Sequence, residues 1–181
     1  YKAEKEKNSP NKTIADKKFE MYKNIFMDHF WRLNTDWATS AGYHLYDSIL
    51  LIPNSEQRTK ELTFYTTELE KIKKAKYDSL NDLNKIDYKI LENELKRQIW
   101  YINEFKSYEW NPAVYNIGEA FSYILSENYA PLKNRINNFY VRLTNVPAYF
   151  EAAKQNIKNP SKEYLELAIE HKQVEVMTLL L

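Results

Sequence analysis

The sequence contains no cysteine, only two glycines and six prolines among its 181 residues. Without cysteine, neither a disulfide bridge nor a thiolate metal site can form. Two isolated glycines cannot build a glycine-rich loop for a phosphate group, and they leave few positions for tight hairpin turns. These absences exclude the common nucleotide-binding signatures and argue against a fold built from hairpins.

Neither positive nor negative charge is in large excess, because the chain has 26 Lys and Arg residues and 25 Asp and Glu residues. A nucleic-acid-binding domain usually carries a concentrated basic surplus, so no nucleic-acid partner is expected. The lysines near the start of the chain indicate a solvated tail, with a membrane-surface or polyanion patch as the alternative. No apolar run approaches the ~18 residues of a membrane span, and no secretory signal is present at the start.

Motifs that carry chemistry are missing as well. The three histidines, His29, His44 and His171, lack the spacing of four residues that places two zinc ligands on one helical face. There is no GxSxG motif, no kinase signature and no cysteine nucleophile. No catalytic residue, metal ligand or cofactor is therefore assigned to this chain, and its status as an enzyme stays open.

Apolar residues at helical spacing dominate what is present, and no segment alternates as a strand would. Four stripes of this kind predict long helices: Phe19, Tyr22, Phe26, Phe30 and Leu33; Leu62, Tyr65, Leu69 and Ile72; Leu83, Ile86, Ile90, Leu91, Leu95, Ile99 and Ile102; Leu132, Ile136, Phe139 and Leu143. Connections between them are short, which favours antiparallel neighbours. We predict an all-α fold: residues 1–12 form a disordered or extended polar tail, and residues 13–181 form a single domain, an antiparallel bundle or array of about six to seven helices.

The stretch "NTDWATSAGYHLYDSIL" places Gly42 inside the densest group of aromatic residues in the chain. A glycine there either ends a short helix or lets another backbone approach closely. The aromatic residues are expected to form a core at a helix corner, and a ligand cage of Trp and Tyr is the alternative.

Three segments together resemble a known bacterial family. They are "FWRLNTDWATSAGYHLYD", "WNPAVYN" and "PLKNRINNFYVRLTNVPAYFEAAKQNIKNPSKEYLELAIE". Their patterns are similar to the aromatic helix followed by A-T-x-x-G, the NP-x-x-Y turn, and the RL-x-x-iP segment of the family called domain of unknown function 885. The resemblance spans about residues 19 to 175, and Asn34-Thr35 stands where the family pattern has a proline.

The resemblance implies an all-helical, zinc metallopeptidase-like protein about three times as long as this chain. The zinc-binding motif of that family, H-E-x-x-P-G-H, lies far C-terminal to the segments resembled and does not occur in this sequence. Zinc is therefore expected only in a missing C-terminal part. By implication, the chain is the non-catalytic N-terminal helical portion of such a hydrolase and contributes a wall or lid of the substrate cleft.

If the chain lines a substrate cleft, a bound peptide would need polar partners and apolar subsites. We expect them near the stretch around Gly42 and near the turn in "WNPAVYN". The substrate-cleft candidates are Tyr43, His44, Asp47 and Tyr115, although Tyr43 and Tyr115 also fit a core role. The expected partners are the missing C-terminal region, or a second copy bound through the last helix, because the chain ends on the apolar run "VEVMTLLL".

The same resemblance suggests a periplasmic or lipid-anchored protein of the bacterial cell envelope, and a cytoplasmic location stays open. A different class of function is a stand-alone helical module that binds a ligand, for example a glycan, or a partner protein.

Overall fold

The computed structural model describes residues 12–180 of the chain and the side chains of residues 12–171. The predicted polar tail falls almost wholly on residues 1–11. The predicted association through the last helix depends on the leucines at 179–181, whose side chains lie beyond residue 171. Both predictions lie outside the described residues.

Residues 12–180 form helices and turns without a β-strand, which confirms the all-α prediction. The helices are α1 (Ile14–Leu33), α2 (Thr35–Ser40), α3 (Ser55–Lys73), α4 (Asp82–Trp100), α5 (Ser107–Trp110), α6 (Gly118–Ser126), α7 (Leu132–Thr144), α8 (Val146–Asn156) and α9 (Lys162–Leu180). Short 3-10 turns occupy His44–Tyr46, Tyr77–Ser79 and Pro112–Tyr115, and a π-helical turn at Tyr101–Phe105 extends α4. Among the helices of residues 12–180, none combines the length and the hydrophobicity of a membrane-spanning segment.

A first core lies between α1, α3 and α4. Its buried residues are Phe19, Phe26, Phe30, Tyr65, Ile72, Leu80, Tyr88 and Leu95. On α1 and α3 most of the residues predicted for the inner face are buried in this core or pack against it, because their spacing of three and four keeps them on one side of each helix. Aromatic rings account for much of this core, with Phe26 stacked on Phe30 and on Phe64 at centroid distances of 5.7 Å.

A buried carboxylate joins the start of α1 to the start of α4. Asp16 and Thr13 form a capping box at the beginning of α1. The second carboxylate oxygen of Asp16 accepts hydrogen bonds from the Asn81 backbone N–H and the Asn84 side-chain amide, both at 2.9 Å. These bonds, the one from Asn81 first, hold the pKa of Asp16 well below its ordinary value.

A second core lies between α6, α8, the segment before α3 and the turn Pro112–Tyr115. Its buried residues are Leu50, Tyr115, Ile117, Phe121, Tyr149 and Ala153. Phe139 of α7 packs against its edge, with its ring perpendicular to that of Phe121. The polar groups described below lie beside this second core.

Two of the predicted apolar stripes are partly wrong. On α4 the residues Leu83, Ile86 and Ile90 are 57 to 76% exposed, and Asn84 and Tyr88 are buried in their place, whereas the predicted Leu95 is fully buried. The polar Asn84 can occupy an inner position because it bonds to Asp16 and Lys23.

On α7 the residues Leu132, Ile136 and Leu143 are also exposed, and the buried positions hold Arg135 and Arg142. Arg135 is accommodated because its guanidinium donates to the carbonyls of Ile124, Leu125 and Ala130, at and just beyond the end of α6. Carbonyls at a helix end lack partners within the helix, so a buried arginine can satisfy them.

Candidate functional site

The site begins where Gly42 ends α2. Gly42 has a positive φ of 82°, its N–H donates to the carbonyl of Thr39, and the N–H of Tyr43 donates to that of Ala38. This pair of bonds is a Schellman motif, which favours glycine because of the left-handed backbone. A Cβ on Gly42 would meet no atom within 4 Å, so the glycine serves to end the helix and not to admit a close backbone.

The turn that follows places Asp47 in the interior, where its side chain is fully enclosed. One carboxylate oxygen lies 2.8 Å from the Thr39 hydroxyl, which donates to it, and the other lies 3.0 Å from Nδ1 of His44. Two of the four cleft candidates, His44 and Asp47, are therefore in direct contact. A carboxylate that holds Nδ1 orients the imidazole and leaves Nε2 as its second functional atom.

Arg142 of α7 closes the network from the other side and has no exposed surface. Its Nε donates to the backbone carbonyl of Asp47, and its Nη1 donates to the Asp36 carboxylate of α2 at 2.6 Å. Its Nη2 is buried and, among the residues described, has no hydrogen-bond partner. The guanidinium thus ties α7 to both α2 and the turn that carries His44.

Tyr129, in the loop before α7, covers His44. The two rings are nearly parallel, with an interplanar angle of 5° and centroids 3.4 Å apart. Its hydroxyl is buried and lacks a hydrogen bond of ordinary geometry to any described residue. Burial, and then the nearby Asp47 carboxylate, raise the pKa of Tyr129 well above its ordinary value, so the hydroxyl keeps its proton.

The other two candidates lie apart from this pair. The Tyr43 hydroxyl donates to Asp28 of α1 at 2.9 Å, and that hydrogen bond raises its pKa. Its ring stacks on Trp31 within an aromatic strip along α1 and α2. Tyr115 is buried in the second core, where its hydroxyl donates to the carbonyl of Tyr108 at 2.7 Å.

Two open clefts meet at Asp36 and Trp37 of α2. The first has a volume of 430 Å³ and is lined also by Ser40, Asn116, Ile117, Glu119 and Ala120. The second has a volume of 310 Å³ and is lined also by Leu33, Asn34, Thr35, Leu51, Pro53, Gln57, Glu61 and Tyr149. Trp37 is half exposed between them, and its ring meets those of Phe30 and Trp31 edge-on. Burial raises the pKa of the Glu61 carboxyl in the second cleft.

Sequence reasoning missed the parts that Asp36, Trp37 and Arg142 play in this arrangement. In the sequence, Asp36 and Trp37 both belong to the stretch around Gly42 and carry no signal that separates them from their neighbours. Nothing in the sequence distinguishes Arg142 from an arginine on a solvated helix face. Between residues 12 and 171, no three His, Asp or Glu side chains come together as metal ligands.

The chain matches, over residues 36–176, the profile of the family described as "Bacterial protein of unknown function (DUF885)". It belongs to this family. Asp36, His44, Asp47 and Arg142 all lie inside the DUF885 match, whereas α1 precedes it. The match therefore starts later than the resemblance expected from the sequence, at residue 36 and not near residue 19.

One solved structure similar to this chain comes from Shewanella oneidensis and is named a "putative lipoprotein of unknown function". It superposes with a TM-score of 0.84 at 38% sequence identity, over 87% of this chain. The present chain spans only 29% of the length of that protein. No curated protein matches the chain.

Proposed function

We propose that the chain is the non-catalytic N-terminal helical portion of a longer DUF885 protein, in which it forms a wall or lid of the substrate cleft. The longer protein would be a zinc-dependent peptidase-like enzyme whose metal ligands lie outside this chain. The observation that carries the proposal is one of length. At 38% identity, the chain corresponds to 29% of its relative from Shewanella oneidensis, which leaves most of such a protein for a catalytic part.

Exposed apolar side chains supply a surface for that larger part. On α9 the residues Leu165, Leu167 and Ile169 are 36 to 51% exposed, and on α7 Leu132 and Ile136 are about half exposed. Leu165 and Ile169, like Leu132 and Ile136, are four residues apart and therefore lie on one face of their helix, and exposed apolar faces mark interaction surfaces. They fit either contact with the C-terminal region of the same protein or self-association through the last helix.

The two clefts at Trp37 would form the part of the wall that meets a peptide. Trp37 offers an apolar face, while Asn116, Gln57 and Glu61 offer hydrogen-bond partners on either side. A peptide held in a groove needs both kinds of group. The buried Arg142 then has a positioning role, because it holds Asp36 beside Trp37 and fixes the turn that carries His44.

Peptide hydrolysis by the full-length protein and by this chain alone tests the proposal. A mixture of fluorogenic peptides is incubated with each protein, with zinc and then with a chelator. We expect zinc-dependent turnover by the full-length protein and none by the chain. Turnover by the isolated chain, or a full-length protein inactive with zinc, would contradict the proposal.

The second candidate function is a helical module that binds a ligand or partner by itself. The half-exposed Trp37 between two clefts favours it, because an aromatic platform flanked by amides and carboxylates suits a sugar or a peptide. Light scattering and a hydrophobic dye separate the two candidates. A monomer that binds no dye supports the module, whereas dye binding or self-association supports the wall of a larger protein.

The cell envelope is the compartment we propose, as a periplasmic or lipid-anchored protein. The support is the name of the relative from Shewanella oneidensis, which describes that protein as a "putative lipoprotein". Fractionation of cells that express the full-length gene tests it, with the protein expected in the envelope fraction and not among cytoplasmic proteins.

A further inference from the structure

A third groove lies at the other end of α1 and α3 from the second of these clefts. It runs between the start of α1, the end of α3 and the turn Tyr77–Ser79, and it has a volume of 520 Å³. Pockets of roughly 300–1,000 Å³ hold small organic ligands. The groove is therefore large enough for a discrete molecule.

The floor of this groove is apolar. Phe19, Ile72 and Leu80 line it, and each is at most 4% exposed, so the groove reaches down to the first core. Ala15 and Ala75 line the walls, where their small side chains leave the space open. An apolar chain placed there would cover the exposed Ile14 and the half-buried Ala15 and Ala75, which otherwise face water.

The rim of the groove is cationic. It carries the exposed residues Lys18, Lys71, Lys74 and Lys76. Lys71 is paired with the buried Glu68 at 2.7 Å. Between residues 12 and 171, no carboxylate lies within ion-pair distance of the other three lysines, and none of the residues lining the groove is acidic. The rim thus offers ammonium groups that a ligand's negative charge can neutralise.

From this combination we infer that the groove binds an anionic amphiphile with one apolar chain, of the fatty-acid type. The apolar chain lies between Ala15 and Ala75 over the floor of the groove, and the anionic head meets Lys74 and Lys76 at the mouth. Charge complementarity identifies the head, and the recessed floor favours a single molecule over the flat surface of a bilayer. This site shares no lining residue with the clefts at Trp37, so it does not depend on the peptidase proposal.

Displacement of a dansyl-labelled undecanoic acid by palmitate tests the inference with the full 181-residue chain. We expect saturable binding that weakens as salt is added, since salt screens exposed charges. The double variant Lys74→Gln/Lys76→Gln should bind roughly tenfold more weakly, in line with the modest contribution of exposed charge pairs. The control Lys133→Gln/Lys154→Gln removes the same charge from exposed positions elsewhere and should bind as the wild type does.

A second variant probes the apolar floor without changing the charge. Ala15→Phe fills the wall of the groove and should abolish displacement, while circular dichroism checks that the variant is folded. If the variant unfolds, competitors of different chain length provide the test in its place. Octanoate should then displace the labelled fatty acid much more weakly than palmitate does. Equal binding by all variants and chain lengths would overturn the inference. So would binding to phosphatidylglycerol vesicles without binding of free palmitate, because that result assigns the lysines to a bilayer surface.

Discussion

The two cores of this protein hold their helices together by different means. The first core is almost wholly apolar, and its main polar feature, Asp16, lies at the helix ends, where its bonds cap the backbone. By contrast, two charged residues, Arg142 and Asp47, are fully buried beside the second core. Buried charges are costly to desolvate and add little net stability compared with apolar residues. Their presence next to the clefts indicates that this region is built to hold particular groups in place.

Removal of an apolar side chain from the first core should have the largest effect on stability. Leu95→Ala should lower the free energy of unfolding by about 3–4 kcal/mol, because Leu95 has no exposed surface and a cavity remains. Urea unfolding followed by circular dichroism gives the value. Leu83→Ala, on the exposed face of the same helix, serves as the control and should change stability by less than about 0.5 kcal/mol. Equal losses would mean that the inner face of α4 is misassigned.

Removal of the buried cation beside the second core should come next. Arg142→Met keeps most of the volume but leaves the carbonyl of Asp47 without its donor, and we expect a loss of about 2–3 kcal/mol in the same measurement. This lies below the usual cost of breaking a buried ion pair, because Asp36 is half exposed and can be hydrated. Arg32→Met, at an exposed site in α1, is the matched control. A more stable Arg142→Met protein with unchanged peptide binding would remove the positioning role.

Acid should reveal the buried carboxylate of Asp16 at the edge of the first core. The folded-state pKa of Asp16 is lowered, so its contribution is fully present above its unfolded pKa of about 4 and is lost as the pH falls below that value. Urea unfolding at pH 7, 4 and 3 should therefore show a steeper decline for the wild type than for Asp16→Asn. Asp78→Asn, at an exposed position, should keep the steeper decline. Parallel curves for Asp16→Asn and the wild type would contradict the assignment.

The smallest expected effect concerns a polar group inside the second core. Tyr115→Phe removes one hydroxyl that donates to the Tyr108 carbonyl, which should cost about 1 kcal/mol of unfolding free energy. Tyr140→Phe, at an exposed tyrosine, is the control. If Tyr115 instead contacts substrate, the variant would change the KM of the full-length protein while leaving its stability as it was.

The contrast between the cores also explains what could be predicted from the sequence. The inner faces of α1 and α3 follow from their apolar spacing, because hydrophobic burial alone orients those helices. The same reasoning failed on α7, where the apolar Leu132 and Ile136 face outward and Arg142 faces inward. Periodicity cannot anticipate a buried arginine, since its partners Asp36 and Asp47 come from segments about a hundred residues away.

Of the four candidate residues, the two that are in contact are close to each other in the sequence. His44 and Asp47 share one turn, so their contact is local and could be expected from three-residue spacing. Tyr115 reaches the fold through a different element, and only the tertiary packing assigns it to the second core. That any of the four residues contacts a substrate stays a prediction.

The most direct measurement of the central claim is the steady-state kinetics of the full-length protein carrying Trp37→Ala. If Trp37 lies in the wall of the cleft and outside the reacting centre, KM for a peptide should rise roughly fivefold, as expected for loss of one aromatic contact, while kcat changes little. Trp100→Ala, at an equally exposed tryptophan on α4, should leave both constants unchanged. Unaltered kinetics for Trp37→Ala, or a collapse of kcat at constant KM, would contradict the account.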